Sequence, residues 1–194
     1  MIETYYRILR HDPGGRLVSD TGLIPSHSYV IQFLEIFDAI WNRTDKNATD
    51  VDGAETRMIT TAIALSNQGR VDAGVGADTY GLVVGTNAGT TAEDNENYSL
   101  DTKILHSGIG DAGKLNYQAL TFVAPHVDAP NVDFHLSRAF LNETGVGITV
   151  KEIGLIIRNS TSGTFHMILR DVVADELVGD DETLTVIYTL RTTV

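Results

Sequence analysis

The stretch that most limits the possible folds is the last quarter of the chain, residues 147–194. It reads GITVKEIGLIIRN, a polar turn, GTFHMILRDVV, an acidic loop, and ETLTVIYTLRTTV. Runs this rich in Val, Ile, Thr and Tyr fit a pleated surface and crowd a helix. Two clusters break them, Asn159-Ser160-Thr161-Ser162-Gly163 and Gly179-Asp180-Asp181. In the last run Leu184, Val186, Tyr188 and Leu190 alternate with Thr185, Thr189 and Arg191, the period of a half-buried strand. This final strand is therefore expected to be tied into a sheet. The three runs form the expected core on which the rest of the chain assembles.

The preceding residues extend the same pattern. Residues 4–10 and 16–20 are short alternating runs joined by Asp12-Pro13-Gly14-Gly15, a turn whose Pro presets one dihedral and whose Gly tolerates positive φ at the next. Residues 28–42 carry the one helical pattern. Ser26 and Ser28 are candidate N-caps, and Val30, Phe33, Leu34, Phe37, Ile40 and Trp41 recur as one apolar stripe, with Gln32, Glu35 and Asp38 off it. The stripe is expected to cover a sheet face in its own subunit. The alternative is an interface between subunits, for which Phe33, Phe37 and Trp41 are the candidate residues. A polar loop is expected over 42–55, a strand over 57–65, a loop over 66–79, a doubly buried strand over 80–85 and an acidic loop over 86–97. Further strands are expected over 103–106, 115–124 and 132–141.

Nine or ten strands and one helix, without strand–helix alternation, argue against a doubly wound parallel sheet. The expected fold is mainly β, an antiparallel β-sandwich of jelly-roll-like form with one N-terminal amphipathic helix. The 194 residues contain enough apolar surface, at 42 % hydrophobic and 21 % charged, for one globular domain. Residues 1–55 supply a hairpin, helix and loop packed on a main β core at 56–194. Loops of this length in a small sandwich are expected to be contact surfaces.

Composition also limits the chemistry. There is no cysteine, which excludes disulfides and thiolate zinc sites. A net charge of −12 argues against a nucleic-acid partner and suits docking on a basic surface. Residues 1–7 lack the basic start and apolar run of a signal peptide, and no segment approaches a membrane span. Gly81, Gly85 and Gly89 with Thr86 outline a glycine loop after a strand, but the P-loop Lys is missing, so a glycine-bounded buried strand is the expectation. Asp45, Asn47, Thr49, Asp50 and Asp52 alternate as calcium ligands do, yet the positions that need Gly and Glu hold Asp50 and Thr56, which points to a solvated loop. His126, Asp128, Asp133 and His135 put imidazole and carboxylate in one region, and alternation places Asp133 and His135 on one face. Ordinary polar-face residues are the expectation there. The five Asn-x-Ser/Thr sequons, at Asn42, Asn47, Asn97, Asn142 and Asn159, are taken as accidental. No cofactor, no metal and no catalytic residue is expected.

Several phrases together carry a resemblance: YGLVVGT at 80–86, ILHSG at 104–108 with GKLNY at 113–117, RAFLNETG at 138–145, ITVKEIGL at 148–155, LRD at 169–171 and ETLTVIYT at 182–189. The series resembles small structural proteins encoded by tailed bacteriophages and by related tailed viruses of archaea, over residues 80–194. The resemblance implies a virion component that acts by assembly and not by catalysis. It carries over no site residues. The first expectation is a capsid-associated decoration or minor head protein. The alternatives are a tail, baseplate or fibre component and, from another class, a carbohydrate-binding β-sandwich module using Tyr80 or Tyr98. An enzyme ranks last. The partners implied are other virion proteins, either the major capsid protein or tail proteins, and further copies of the chain, a trimer being the expected form. The location implied is the virion, after synthesis in the host cytoplasm.

Overall fold

The structure is a computed structural model that describes residues 2–42, 46–59, 69–108, 110–159 and 163–193, with the backbone alone for Trp41 and residues 57–59. Strands β1 (Ile2–His11), β2 (Leu17–Asp20) and β3 (Ile24–Ser26) precede the helix α1 (Ile31–Asn42). Then come β4 (Lys46–Thr49), β5 (Glu55–Ile59), β6 (Gly81–Gly85), β7 (Asn116–Tyr117) and β8 (Thr121–Asp128). The chain continues through β9 (Asn131–Leu141), β10 (Ile148–Asn159), β11 (Thr164–Val178) and β12 (Thr183–Thr193). The protein is thus mainly β with one helix among the described residues, and every strand pair is antiparallel.

The largest sheet runs β2-β1-β12-β9-β7, with β3 also on β1 and β8 also on β9. A second sheet runs β11-β10-β6, and β4 pairs with β5 in a third. β12 lies between β1 and β9 and pairs with each along nearly its whole length. The N-terminal hairpin is therefore an integral part of the large sheet. The expected alternation in β12 holds, with Leu184, Val186 and Tyr188 buried. Their neighbours from β1 and β9 on that face are Tyr6, Ile8, Leu136 and Phe140, and these join Leu82, Val84, Ile153, Leu155 and Leu169 of the second sheet in one core. Fully burying a side chain of this size stabilises by about 1.5–3 kcal/mol, so this shared core dominates the fold.

Several boundaries differ from the sequence expectation. The acidic stretch after Val173 continues as strand, so β11 reaches Val178. The polar region 42–55 contains β4, because Asp50 folds it into a hairpin: its carboxylate accepts the N–H groups of Asp52 (3.0 Å) and Ala54 (3.1 Å). Residues 103–106 form only isolated bridges, and 115–124 divides into β7 and the start of β8. Of the strand expected over 57–65, residues 57–59 belong to β5 and the remainder lies outside the described residues.

The helix is the fourth element of the chain and lies against β11, β4 and β5. Its buried face differs from the expected stripe. Ile36, Ala39 and Gln32 are buried together with Val30, whereas Leu34 is 67 % exposed. Leu34 stands on the outward turn because the helix axis presents the row containing residues 32, 36 and 39 to the sheet, about 100° from one residue to the next.

Candidate functional site

Two kinds of polar assembly occur among the described residues, one inside the fold and one on a sheet surface. The internal ones tie loops to sheets. Glu152 on β10 and Arg170 on β11 are paired at 3.0 Å, with side chains 0 % and 1 % exposed. The Glu152 carboxylate also accepts the backbone N–H of Asn87 (3.2 Å), Asp101 (3.0 Å) and Thr102 (2.9 Å). Arg170 donates onward to the carbonyls of Thr91 (3.1 Å) and Ala92 (2.9 Å) and to Oδ1 of Asn97 (2.8 Å). The acidic loop at 86–102 is thus wrapped around one ion pair. Gly85 permits this, because a Cβ there would meet the Glu152 carboxylate and would lie 2.7 Å from the Thr102 carbonyl. The glycine loop of the sequence therefore serves close packing, as expected.

Arg138 on β9 makes a second clamp. It is 1 % exposed and donates to the carbonyls of Gln118 (2.7 Å), Leu82 (2.9 Å), Gly74 (3.0 Å) and Ala77 (2.6 Å). Its guanidinium also stands 4.8 Å from the Tyr117 ring centroid, a favourable cation–π arrangement. Burial pushes its pKa down to about 10, still well above neutrality. Asp171 is the third such group. Its Oδ2 accepts the hydroxyls of Ser26 (2.9 Å) and Tyr188 (2.5 Å), linking β3, β11 and β12. Burial raises the Asp171 pKa, and these hydrogen bonds oppose the rise. The sequon at Asn142 is likewise structural: the side chain is fully buried, and its amide donates to the carbonyls of Val146 (2.7 Å) and Val178 (2.9 Å).

The surface assembly lies on the face of the large sheet away from the core. Asp133 and His135 share that face of β9, and His126 of β8 stands opposite Asp133. One potential ligand atom from each lies within 4.8 Å of the others. Arg191 of β12 grips Asp133 through two hydrogen bonds, at 2.7 and 2.6 Å. This pairing holds the Asp133 carboxyl below its usual pKa, with smaller contributions from His135 and His126. Burial lowers the His135 pKa, which keeps the ring neutral near pH 7, and Nδ1 of that ring is 2.8 Å from Oγ1 of Thr189. The sequence groups His126 with Asp133 and His135 by region and puts Asp133 and His135 on one face; the structure adds His126 to that face.

The remaining candidate residues have separate fates. Phe33 and Phe37 are half-buried against the core, with ring centroids 5.0 Å apart, and Phe33 continues to Tyr29 at 4.1 Å. The Trp41 side chain lies outside the described residues. Of the calcium-like ladder, Asp50 is engaged in its own hairpin turn, and Asp45 lies outside the described residues. Tyr80 stacks on Phe165 at 6.2 Å with the Arg158 guanidinium 5.6 Å from its ring centroid, while Tyr98 is 41 % exposed. β8 runs on past residue 124, where the expected strand ends, and every residue along it is exposed, including Phe122, Val123 and Val127.

Comparison with protein-family models, with curated proteins and with solved structures finds no match.

Proposed function

We propose that the chain is a structural component of a tailed-virus particle, acting by assembly as a capsid-associated decoration or minor head protein. The phrase resemblance over residues 80–194 motivates the viral assignment. The observation that carries the assembly reading is strand β8. It pairs with β9 on one side only among the described strands, and Phe122, Val123 and Val127 are 45 %, 54 % and 77 % exposed. Stable monomers usually blunt such an edge with charge, Pro or a covering element, since its unpaired backbone groups invite another chain. β8 carries one Pro, at the bulge, and one charge, Asp128 at its end, and Phe122, Val123 and Val127 stay exposed all the same. The reading takes this edge as a contact to another copy or to a shell protein. It also takes the fold as a β-sandwich, supported by the shared core and by the cross-sheet bonds of Asp171 and Arg138. The jelly-roll description is retained only in the loose sense that β12 returns between β1 and β9.

Mass spectrometry of purified particles tests the viral assignment, which fails if the chain is absent from them. Copy number separates the positions: hundreds per particle fit a head shell or tail tube, and a handful fit a tail tip. Light scattering tests the edge. Wild type is expected to be a homo-oligomer, and Val127→Lys is expected to dissociate it with unchanged melting. A monomeric wild type would remove the self-assembly part of the proposal.

A further inference from the structure

Regular strand pairing would keep His126 away from Asp133. Val123 pairs with His135 and His126 with Asp133, so β8 advances three residues where β9 advances two. In an unbroken ladder residue 125 would face Asp133, and His126 would project from the other side of the sheet. The extra residue is a bulge at Ala124-Pro125, where the missing N–H of Pro is tolerated. It turns His126 onto the face that already holds Asp133 and His135. Bulges are commonly placed where a side chain must be re-aimed.

The side-chain hydrogen bonds agree with that arrangement. The Nδ1 of His126 lies 3.3 Å from the Ala124 carbonyl, which can only accept, so in the tautomer that makes this hydrogen bond Nδ1 donates and Nε2 is left for another partner. The Nδ1 of His135 is occupied by Thr189, which likewise leaves Nε2 for another partner when Thr189 accepts. Metal-bound histidines are characteristically oriented in this way through the nitrogen that does not bind. Asp133 is held as a carboxylate by Arg191, and its two oxygens retain lone pairs beyond the two that Arg191 uses. We propose that His126, Asp133 and His135 form a site for one divalent transition-metal ion, of the class that prefers imidazole nitrogen with a single carboxylate.

Two imidazoles and one carboxylate suit zinc and its neighbours and are a poor set for calcium or magnesium. Tetrahedral zinc with bonds of about 2.0–2.1 Å holds its ligand atoms about 3.3 Å apart, so the present spread must contract by at most roughly 1.5 Å. His126 is exposed and supplies this by side-chain rotation. Three protein ligands leave a coordination position facing outward, open to water or to a group on a neighbouring chain. The site lies on β8 and β9 and so adjoins the proposed assembly edge, but the metal proposal does not depend on the viral assignment.

The test is titration of the full-length chain with Zn²⁺ against a chromophoric chelator, repeated with Ca²⁺ and Mg²⁺ and with His126→Gln and His135→Gln. Residues that only support a ligand typically contribute about 10–100-fold to metal affinity, so loss of a ligand must weaken binding by at least about tenfold. The expected result is one Zn²⁺ per chain, weakened at least that much in both variants and not displaced by Ca²⁺ or Mg²⁺. Thermal melting accompanies each titration. Exposed His126 is expected to be replaceable without loss of the fold, so His126→Gln decides the matter if His135→Gln unfolds. No stoichiometric Zn²⁺ site, or a site whose affinity is unchanged in a folded His126→Gln protein, overturns the proposal.

Discussion

Replacing Glu152 with Gln should be among the most damaging single-atom changes in the protein. The wild-type carboxylate accepts five hydrogen bonds, two from Arg170 at 3.0 and 3.1 Å and three from the backbone of the 86–102 loop. An amide must put NH₂ in place of one oxygen. At the Oε2 position it faces both Arg170 nitrogens and the Asp101 N–H; at Oε1 it faces the N–H groups of Asn87 and Thr102. Either way donors meet donors, and the Arg170 guanidinium stays buried without its counter-ion. Breaking a buried ion pair from one side costs about 3–5 kcal/mol. For a domain of this size that corresponds to a melting temperature lower by about 6–20 °C. Urea unfolding followed by circular dichroism measures the loss, and limited proteolysis within 86–102 reports whether the loop is released first. The double variant Glu152→Leu with Arg170→Met should cost less than the sum of the two single changes, since it removes the stranded charge. It should not restore wild-type stability, because each of the loop N–H groups left without an acceptor costs about 1–3 kcal/mol. A Glu152→Gln protein within about 1 kcal/mol of wild type, with the loop still protected, would refute the assignment of this pair as the loop anchor.

Two further substitutions probe other parts of the fold. Burial raises the Asp171 pKa above its ordinary value of about 3.9, so the folded state holds this proton more tightly than the unfolded chain and stability falls as pH rises from the ordinary value through the raised one. Asp171→Asn, which still offers an oxygen to Tyr188 and Ser26, should lose that decline; an unchanged pH profile of urea unfolding would count against the buried-carboxyl account. Phe37→Ala should lower stability by about 1.5–2.5 kcal/mol, half the cost of truncating a fully buried Phe, because the ring is only half-buried. Light scattering should show the same molecular mass as wild type, and a lower mass would instead place α1 at an interface.

Much of the sheet was legible because its signals are local. The alternation of β12, the turn at residues 12–15 and the apolar run of β6 each report burial within a few residues, and all three appear as expected. The failures share a cause, which is that burial of a polar side chain is set by distant partners. Arg138 lies on the same face as Leu136 and Phe140, where alternation assigns an apolar position, and carbonyls from 74 to 118 satisfy it there. Gln32 looked like the solvent side of the helix, yet it is buried with its amide 3.4 Å from the Thr49 carbonyl of β4. The acidic tail of β11 reads as a loop by composition, but Thr149 and Val150 of β10 pair with Leu177 and Glu176 and hold it extended. The His126 cluster was legible as a region but not as a single face, for a related reason. A one-residue bulge reverses side-chain direction, and nothing in the residues themselves marks the register of the opposite strand.

The buried polar groups also explain how so loop-rich a chain can offer a defined surface. Long loops have to lose conformational entropy to form a fixed contact, at roughly 1–2 kcal/mol for each ordered residue. Here much of that ordering is built into the single chain, with the 86–102 loop tied to Glu152 and Arg170 and the 74–82 and 118 backbone tied to Arg138. The Asn142 clamp does the same for the turns at 142–146 and 178–179. A partner binding those loops would meet them already shaped, which is the condition under which modest contact areas give useful affinity. The anchoring residues come mainly from β9, β10 and β11, and β9 also carries Asp133 and His135. One strand thus presents a loop clamp on its inner face and the proposed metal ligands on its outer face, and the alternation of side chains along β9 keeps the two apart.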